Sequence, residues 1–362
     1  MNPFDHIPDD LEIDILSRLP GTSLMNSQYL SKSWFSIIQN QRFSDSFNSR
    51  SLNRGSRLLI AFNNCEFTTK KADMRLFFFT ASEEGENKSS SSLVANLAMT
   101  IPSTVDYYYT RSGSGTLAHG FLCCSYQGRF LICNPTTRQI VTLPESGNDV
   151  NKKLTFKLLG YDPIDDQYKA MFMMASRCGD GDVVHKVLTL GGGDNIKTLL
   201  WRKIKDNTGP YVPYTKGICI NGIVYYGATR PNTDRVIVCF DVRFEKISLM
   251  NPPLYIKSWE VENVEKHEWS KKTLRFPLSW SNRIEINSHS YIGVNKSGEI
   301  ILAPRLMPRD LESFYIFYFD LTSQCIRRVV DDEEFRHHYG IGNNGSCPVS
   351  ISSEHFENVT FL

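Results

Sequence analysis

The sequence lacks any long apolar run, and its first residues lack the basic-then-apolar pattern of a secretory signal. A membrane-spanning helix needs about 18 or more apolar residues, and no uncharged stretch of this chain approaches that length. We therefore expect no membrane partner, and a chain that works in the cytoplasm, the nucleus or both.

An excess of either charge sign is also missing. The chain has 362 residues, and its 40 basic and 39 acidic side chains give a formal net charge of +1. Its longest basic runs are pairs such as Lys70-Lys71 and Arg327-Arg328. A balanced chain has no overall attraction to nucleic acid or anionic lipid, so we expect no nucleic-acid partner.

Cysteine is present but follows neither a metal-binding nor a disulfide pattern. The nine cysteines are an odd number at irregular spacings, and Cys123 and Cys124 are adjacent inside an apolar run. Without a secretory signal, this pattern indicates reduced thiols. We therefore expect no disulfide and no structural metal.

Motifs for catalysis or cofactor binding are missing as well. Residues 113–118, GSGTLA, precede no helix pattern, and Gly191–Gly193 precede no phosphate-loop lysine, which favours a hairpin turn. For His337-His338 beside the acidic run 331–334, we favour an exposed tail over a metal site. The run Met171–Met174 is interpreted as sheet core. We name no catalytic, cofactor-binding or metal-binding residue.

What the first 48 residues do contain is the apolar spacing of three short helices. Pro8 and two aspartates open the first helix, Leu11, Ile15 and Leu19 recur at four-residue intervals, and Pro20-Gly21 ends it. The second and third helices carry Leu24, Met25, Tyr29, Leu30, Trp34, Ile37 and Ile38. Helices this short make a poor independent core. Either they form a cap packed on the rest of the chain, or a partner completes their apolar surface.

From about residue 56 the pattern changes to short strands. Runs rich in Val, Ile, Phe and Tyr alternate with Gly, Asn, Asp and Pro turns, which indicates an all-β sandwich, barrel or propeller. The region is too long for one ordinary sandwich, which has about 100 residues.

A weak internal repeat favours the propeller. Three segments share a strand, an Asn or Asp turn and a second strand: LICNPTTRQIVTLP from Leu131, IVCFDVRFEKISLM from Ile237 and YFDLTSQCIRRVV from Tyr318. We predict that each is the outer hairpin of a blade, with hydrogen bonds from the Asn or Asp side chain at the turn. Asn134 and Asp241 are 107 residues apart and Asp241 and Asp320 only 79, so we expect an incomplete blade within 250–290.

The N-terminal stretch IPDDLEIDILSRLPGTSLMNSQYLSKSWFSII resembles a plant-type F-box, most specifically in the joint occurrence of Pro8-x-x-Leu11, Leu19-Pro20 and Trp34. The resemblance implies a three-helix F-box over residues 1–48 that docks a Skp-type adaptor and, through it, the cullin and RING subunits of a ubiquitin ligase. Its apolar positions form partly the helical core and partly the docking surface. The adaptor-binding residues implied are Pro8, Leu11, Ile15, Leu16, Leu19, Pro20, Leu24, Leu30 and Trp34.

Residues 49–350 resemble the F-box-associated β-propeller family, and residues 351–362 are expected as a C-terminal tail. The motifs, in family order, are GFLCC at Gly120, CNPTTRQIVTLP at Cys133, GYDPIDDQYKAMFM at Gly160, HKVLTLGGG at His185, WRKI at Trp201, GICINGIVYYGA at Gly217, CFDVRFEKISL at Cys239, EKHEWSKK at Glu265 and GEIILAP at Gly298. The resemblance implies an all-β propeller of about six blades that binds a target protein, in a substrate receptor that does no chemistry itself.

Two departures from the family pattern matter. Polar Ser27 stands near an expected aromatic of the second helix, which raises the alternative of an interaction protein that no longer reaches the ligase. The chain also bridges Met250 to Val264 quickly, where family members have a further strand pair. A third alternative, a propeller hydrolase or glycan-active enzyme, would need convergent carboxylates or a nucleophile–base pair.

A candidate target-binding set precedes the glycine-rich turn Gly113–Gly115. Tyr107, Tyr108, Tyr109 and Arg111 are of the residue types favoured as interface anchors. A half-buried strand end explains the same tyrosine run.

Overall fold

The structure is a computed structural model. It describes residues 8–54, 57–63, 75–82, 91–92, 95–102, 116–126, 129–146, 153–176, 183–190, 200–205, 208–232, 234–250, 259–263, 268–271, 289–295, 297–304, 315–320, 326–330 and 349–362.

The N-terminal region is helical. Its helices are α1 Asp9–Arg18, α2 Gly21–Ser27, α3 Lys32–Ile38 and α4 Gln41–Asn53. Acidic side chains in the first turn of α1 suit the unpaired amides there, and Pro20 follows its end. The side chains of Ser31 and Asn40 cap α3 and α4 by accepting hydrogen bonds from the backbone two residues on, at 3.2 and 2.9 Å.

Helix α4 follows the three helices that the sequence predicts. Phe43 and Phe47 lie one turn apart on its buried face, with ring centroids 6.3 Å apart. The helix continues past residue 48 to Asn53, so the helical unit extends beyond the predicted range.

The rest of the described chain is β-structure, as predicted. The strands are β1 Arg57–Asn63, β2 Arg75–Ser82, β3 Ser91–Ser92, β4 Ala95–Pro102, β5 Leu117–Ala118, β6 Phe121–Tyr126, β7 Arg129–Asn134, β8 Gln139–Thr142, β9 Lys153–Asp162, β10 Gln167–Ser176, β11 Val184–Leu190, β12 Arg202–Lys203, β13 Val212–Pro213, β14 Ile218–Ile220, β15 Ile223–Thr229, β16 Arg235–Asp241, β17 Ile247–Met250, β18 Trp259–Asn263, β19 Glu268–Lys271, β20 His289–Val294, β21 Ile300–Pro304, β22 Tyr315–Phe319, β23 Ile326–Val330 and β24 Val349–His355.

The strands of the described residues form six sheets. Their strand orders are β24-β1-β2-β4, β5-β6-β7-β8, β12-β11-β10-β9, β13-β15-β16-β17 with β14 also on β15, β18-β19, and β20-β21-β22-β23-β3. All pairs are antiparallel except β3 with β23. The β18-β19 pair is the smallest of these sheets and lies within 250–290. Residues 351–355 belong to β24, which pairs with β1 in the register Ile60↔Ile351 and so joins the two ends of the β domain.

The cores between sheets give the order of the blades. One apolar cluster joins the β1 sheet to the β20–β23 sheet, and a second joins the β1 sheet to the β5–β8 sheet. A third cluster joins the β5–β8 sheet to the β9–β12 sheet, and a fourth joins the β9–β12 sheet to the β13–β17 sheet. The β1, β5–β8 and β9–β12 sheets are therefore apolar on both faces, as in a propeller. Met171, Met173 and Met174 lie in these clusters, which confirms the core assignment of the methionine run.

Two of the three repeated segments are hairpins at the edge of a sheet, as predicted, and the turn after Asp320 in the third lies outside the described residues. Asn134 ends β7 before the turn to β8, and Asp241 ends β16 before β17. The Asn134 side chain accepts a hydrogen bond from Thr136 N at 2.9 Å, and Asp241 accepts one from Phe244 N at 2.8 Å. These bonds fix the tight turns in the way the sequence pattern indicates.

Candidate functional site

An exposed apolar stripe follows helix α1. Leu11 and Ile15 lie one turn apart and are 55% and 43% exposed, and Pro8 at the helix start is exposed as well. Leu16, on another side of the helix, is completely buried. Because side chains four residues apart share a helix face, Leu11 and Ile15 form one continuous surface.

A second exposed apolar group lies at the junction of α2 and α3. Tyr29 and Leu30 are 81% and 72% exposed, and Phe35 on α3 is also exposed. They line an open pocket of about 500 Å³ together with Gln28, Ser31 and Lys32. Large apolar side chains this exposed, close together and around a concavity are typical of a protein-docking surface.

The remaining predicted F-box residues hold the helices together. Leu16, Leu24 and Trp34 are buried in one cluster with Ile38, Phe43, Phe47 and Val359, and Leu19 packs against it. The structure thus separates the predicted adaptor-binding set into exposed residues, which are Pro8, Leu11, Ile15, Pro20 and Leu30, and residues of the helical core. Whether any of them contacts an adaptor stays a prediction.

Polar contacts fix α1 relative to the other helices. Buried Glu12 accepts a hydrogen bond from the Ser33 hydroxyl of α3 at 2.8 Å. Arg54, after α4, donates to the carbonyl of Leu19 at 3.0 Å, and Arg50 lies 3.7 Å from the Asp14 carboxylate. The apolar stripe is therefore held on a braced helix.

Ser27, the departure from the family pattern, is an interior residue. Its side chain is buried, and its hydroxyl donates to the carbonyl of Leu24 at 2.7 Å. The polar group is satisfied within its own helix. Any effect of this serine on adaptor binding must therefore act through the packing of α2, and not through a lost exposed contact.

The segment Phe356–Leu362, which we call the clasp, lies between the helices and the propeller. Val359 is part of the helical core, and the Glu357 carboxylate accepts from the backbone N–H of Gly21 at 2.9 Å and from Arg57 at 2.6 Å. The Asn358 amide donates to the carbonyl of His119, in the β5–β6 turn, at 2.7 Å. The clasp thus contacts both modules.

Two histidines near this junction are held neutral by burial. Burial lowers the pKa of His119 from 6.5 to about 4, although Asp166 opposes the shift. Its ring stacks on Tyr161 with centroids 3.9 Å apart and hydrogen-bonds to the Tyr168 hydroxyl at 3.0 Å. Burial, reinforced by the charge of Arg57, lowers the pKa of His355 from 6.5 to about 3.

Among the described residues, no three His, Cys, Asp or Glu side chains are grouped so that they could hold a metal ion. None of the described helices is both long and apolar enough to span a bilayer. Five cysteines lie in the described part and are free thiols. Burial raises the pKa of Cys239 to about 11, which disfavours the reactive thiolate. The target-binding candidates Tyr107, Tyr108, Tyr109 and Arg111 lie outside the described residues.

The comparisons with known proteins agree with this two-module structure. A model of the F-box domain matches residues 4–46, and a model of the F-box associated beta propeller domain matches 57–260 and 254–339. The Arabidopsis thaliana F-box protein At1g30790 is 44% identical, over 99% of this chain and 98% of its own length. From the same plant, the putative F-box protein At1g32660 is 37% identical over 96% and 82%, and the F-box protein DOR 34% over 90% and 88%. The chain belongs to the F-box proteins that carry an F-box-associated β-propeller domain.

Sequence reasoning missed several residues of this site. Phe35 follows the motif residue Trp34 directly, so the alternation of buried and exposed positions along α3 could have indicated it. Glu357 and Asn358 have no such signal, because their partners Gly21 and His119 are far away in the sequence.

Proposed function

We propose that this protein is the substrate-recognition subunit of an SCF-type cullin-RING ubiquitin ligase. The F-box binds a Skp-type adaptor, and through it the cullin and RING subunits, while the propeller holds a target protein. The protein supplies position and not chemistry, since the catalytic cysteine of ubiquitin transfer belongs to another subunit.

The observation that carries this proposal is the division of the F-box into two surfaces. Its inner face is completed within the chain, by α4 and by Val359 of the clasp. Leu11, Ile15 and Leu30 nevertheless stay exposed. A cap whose only role was to cover the propeller would have no need for that second apolar surface, whereas a docking module needs it.

The mechanism is tethering. Holding target and ubiquitin-loaded enzyme in one assembly replaces a bimolecular encounter by a high effective concentration of target lysines. A propeller suits this task because its loops are presented by rigidly packed sheets. We place target binding at Tyr107, Tyr108, Tyr109 and Arg111.

The test is reconstitution from purified components. The full chain is incubated with a Skp-type adaptor, then with cullin and RING subunits, and co-elution is measured. Assembly of the four-subunit complex supports the proposal, and mass spectrometry of proteins retained from plant extract then identifies targets. A chain that retains proteins from extract but never the adaptor would instead be an interaction protein outside the ligase.

A further inference from the structure

We propose that the clasp locks the F-box and the propeller into one rigid unit, and so sets the direction in which the adaptor-docking surface points relative to the propeller. The rigid junction stands on the contacts alone, whereas its consequence for ubiquitin transfer rests on the proposed function.

The first four residues of the clasp are buried between the two modules. Asn358 and Val359 have no exposed surface, and Phe356 and Glu357 are almost fully buried. On the helical side, Val359 packs among Leu24, Phe43 and Phe47, and its N–H donates to Asn48 of α4 at 3.0 Å. Loss of this contact would open the F-box core to water.

Glu357 joins the modules through one carboxylate. One oxygen accepts from Gly21 N, at the start of α2, and the other accepts from Arg57 of strand β1. The backbone N–H of Glu357 donates to the Ser51 hydroxyl of α4 at 2.9 Å. A buried carboxylate that lost these hydrogen-bond donors would destabilise the fold, so we expect the contacts of Glu357 to form and break together.

Asn358 continues the network into the propeller. Its N–H donates to the Thr136 hydroxyl of the β7–β8 turn at 3.3 Å, and its carbonyl accepts from Asn134 at 2.9 Å. Asn48 of α4 donates to the Asn358 side-chain oxygen at 3.3 Å. Hydrogen bonds therefore run without a break from α4 to two propeller turns.

Two glycines allow the close approach. A Cβ at Gly120, which has φ +84°, would lie 2.5 Å from Asn358 Cβ. A Cβ at Gly21 would lie 2.4 Å from the Thr136 methyl group and 3.2 Å from Glu357 Cβ. Gly21 is helical and not in the left-handed region, so its backbone does not require glycine. What requires glycine there is the contact between F-box and propeller.

Gly21→Ala therefore probes the junction selectively. Alanine is the better helix former, so the F-box itself should not weaken, but the added methyl group forces α2 away from the β7–β8 turn. Ser23→Ala is the matched control, an alanine substitution at an exposed position of the same helix. The double variant Gly21→Ala/Thr136→Ser removes the clashing methyl and keeps the hydroxyl that accepts from Asn358.

The readout is amide hydrogen exchange of the full chain, followed by mass spectrometry. In the wild type and Ser23→Ala, the clasp amides should exchange as slowly as those of strand β1. Gly21→Ala should speed clasp exchange by about tenfold or more while β1 stays protected, and the double variant should restore protection. Fast clasp exchange in the wild type, beside protected propeller strands, would overturn the proposal, as would a Gly21→Ala variant with wild-type exchange.

Asn48→Ala is measured in the same way if Gly21→Ala does not fold. It removes the bonds from α4 to Asn358, Val359 and Thr360 and adds no volume. Selective loss of clasp protection is again the expected result, and unchanged clasp protection would overturn the proposal.

The consequence for transfer is measured in the reconstituted ligase. Gly21→Ala should bind the adaptor like the wild type but distribute ubiquitin over a different set of receptor lysines, and the Thr136→Ser rescue should restore the wild-type set. An unchanged lysine set, with clasp exchange faster, would refute the orienting role. Absence of adaptor binding in the wild type would contradict the proposed function. The rigid junction would then be tested by the hydrogen-exchange result alone.

Discussion

At the scale of single residues, the account rests on which side chains are exposed and which are buried. Leu11 and Leu16 are both leucines of the same motif on the same helix, yet one is 55% exposed and the other fully buried. Their substitutions should therefore have different consequences. A charge at Leu11 should spare the fold and affect binding, whereas truncation of Leu16 should affect the fold first.

Buried His355 makes stability depend on pH. Its folded pKa of about 3 lies below the ordinary 6.5, so both states are neutral above pH 6.5. As the pH falls below 6.5, this histidine binds a proton in the unfolded chain but stays neutral in the folded chain. The free energy of unfolding should therefore fall by up to about 1.4 kcal/mol per pH unit.

His355→Leu should make this dependence less steep between pH 6.5 and pH 4, because one of the two buried rings that must stay neutral is removed. Urea unfolding of both proteins at several pH values gives the two slopes, and His119 and the carboxylates that titrate in the same range contribute equally to both. Identical slopes would show that His355 is accessible to protons in the folded state.

At the scale of elements, the helices α1 to α3 could be predicted from apolar spacing and from Pro20-Gly21, but α4 could not. Its sequence, QRFSDSFNSRSLN, is rich in Ser and Asn, which are weak helix formers. The helix is held by the Asn40 cap and by burial of Phe43 and Phe47, and burial depends on the clasp, which lies more than 300 residues further along the chain.

Among the side chains of α4, Phe47 should contribute most to the free energy of unfolding. Phe47→Ala leaves a cavity in a fully buried position and should lower the free energy of unfolding by about 3–5 kcal/mol. Leu52→Ala on the same helix removes a side chain that is exposed, so its effect should stay below about 1 kcal/mol. Equal effects of the two substitutions in urea unfolding would contradict the packing described for α4.

At the scale of the whole molecule, the all-β propeller class of the second module could be predicted from the sequence. The outer hairpins at Asn134 and Asp241 followed from turn chemistry, which is local. The clasp contacts with the helices are made between opposite ends of the sequence, where no local pattern points. The sequence therefore predicted the modules, but not the clasp residues that join them.

Target capture should depend on the residues that precede Gly113–Gly115 in the sequence. Once a target has been identified, Tyr108→Ala and Arg111→Ala should each reduce its capture, because aromatic and arginine anchors carry much of an interface's binding energy. Melting temperature and adaptor binding should stay at wild-type values. Capture unaffected by both substitutions would move the target site to another set of loops.

The central claim is that the exposed stripe of α1 docks a Skp-type adaptor, and calorimetric titration of the full chain with the adaptor tests it most directly. Leu11→Asp should weaken binding by several kcal/mol, since a charge is poorly tolerated at a desolvated surface. Ile13→Asp is the matched control, an exposed apolar residue of the same helix about 200° around its axis from Leu11, and should bind like the wild type. Equal affinities for the wild type and Leu11→Asp, or no binding by the wild type, would contradict the account.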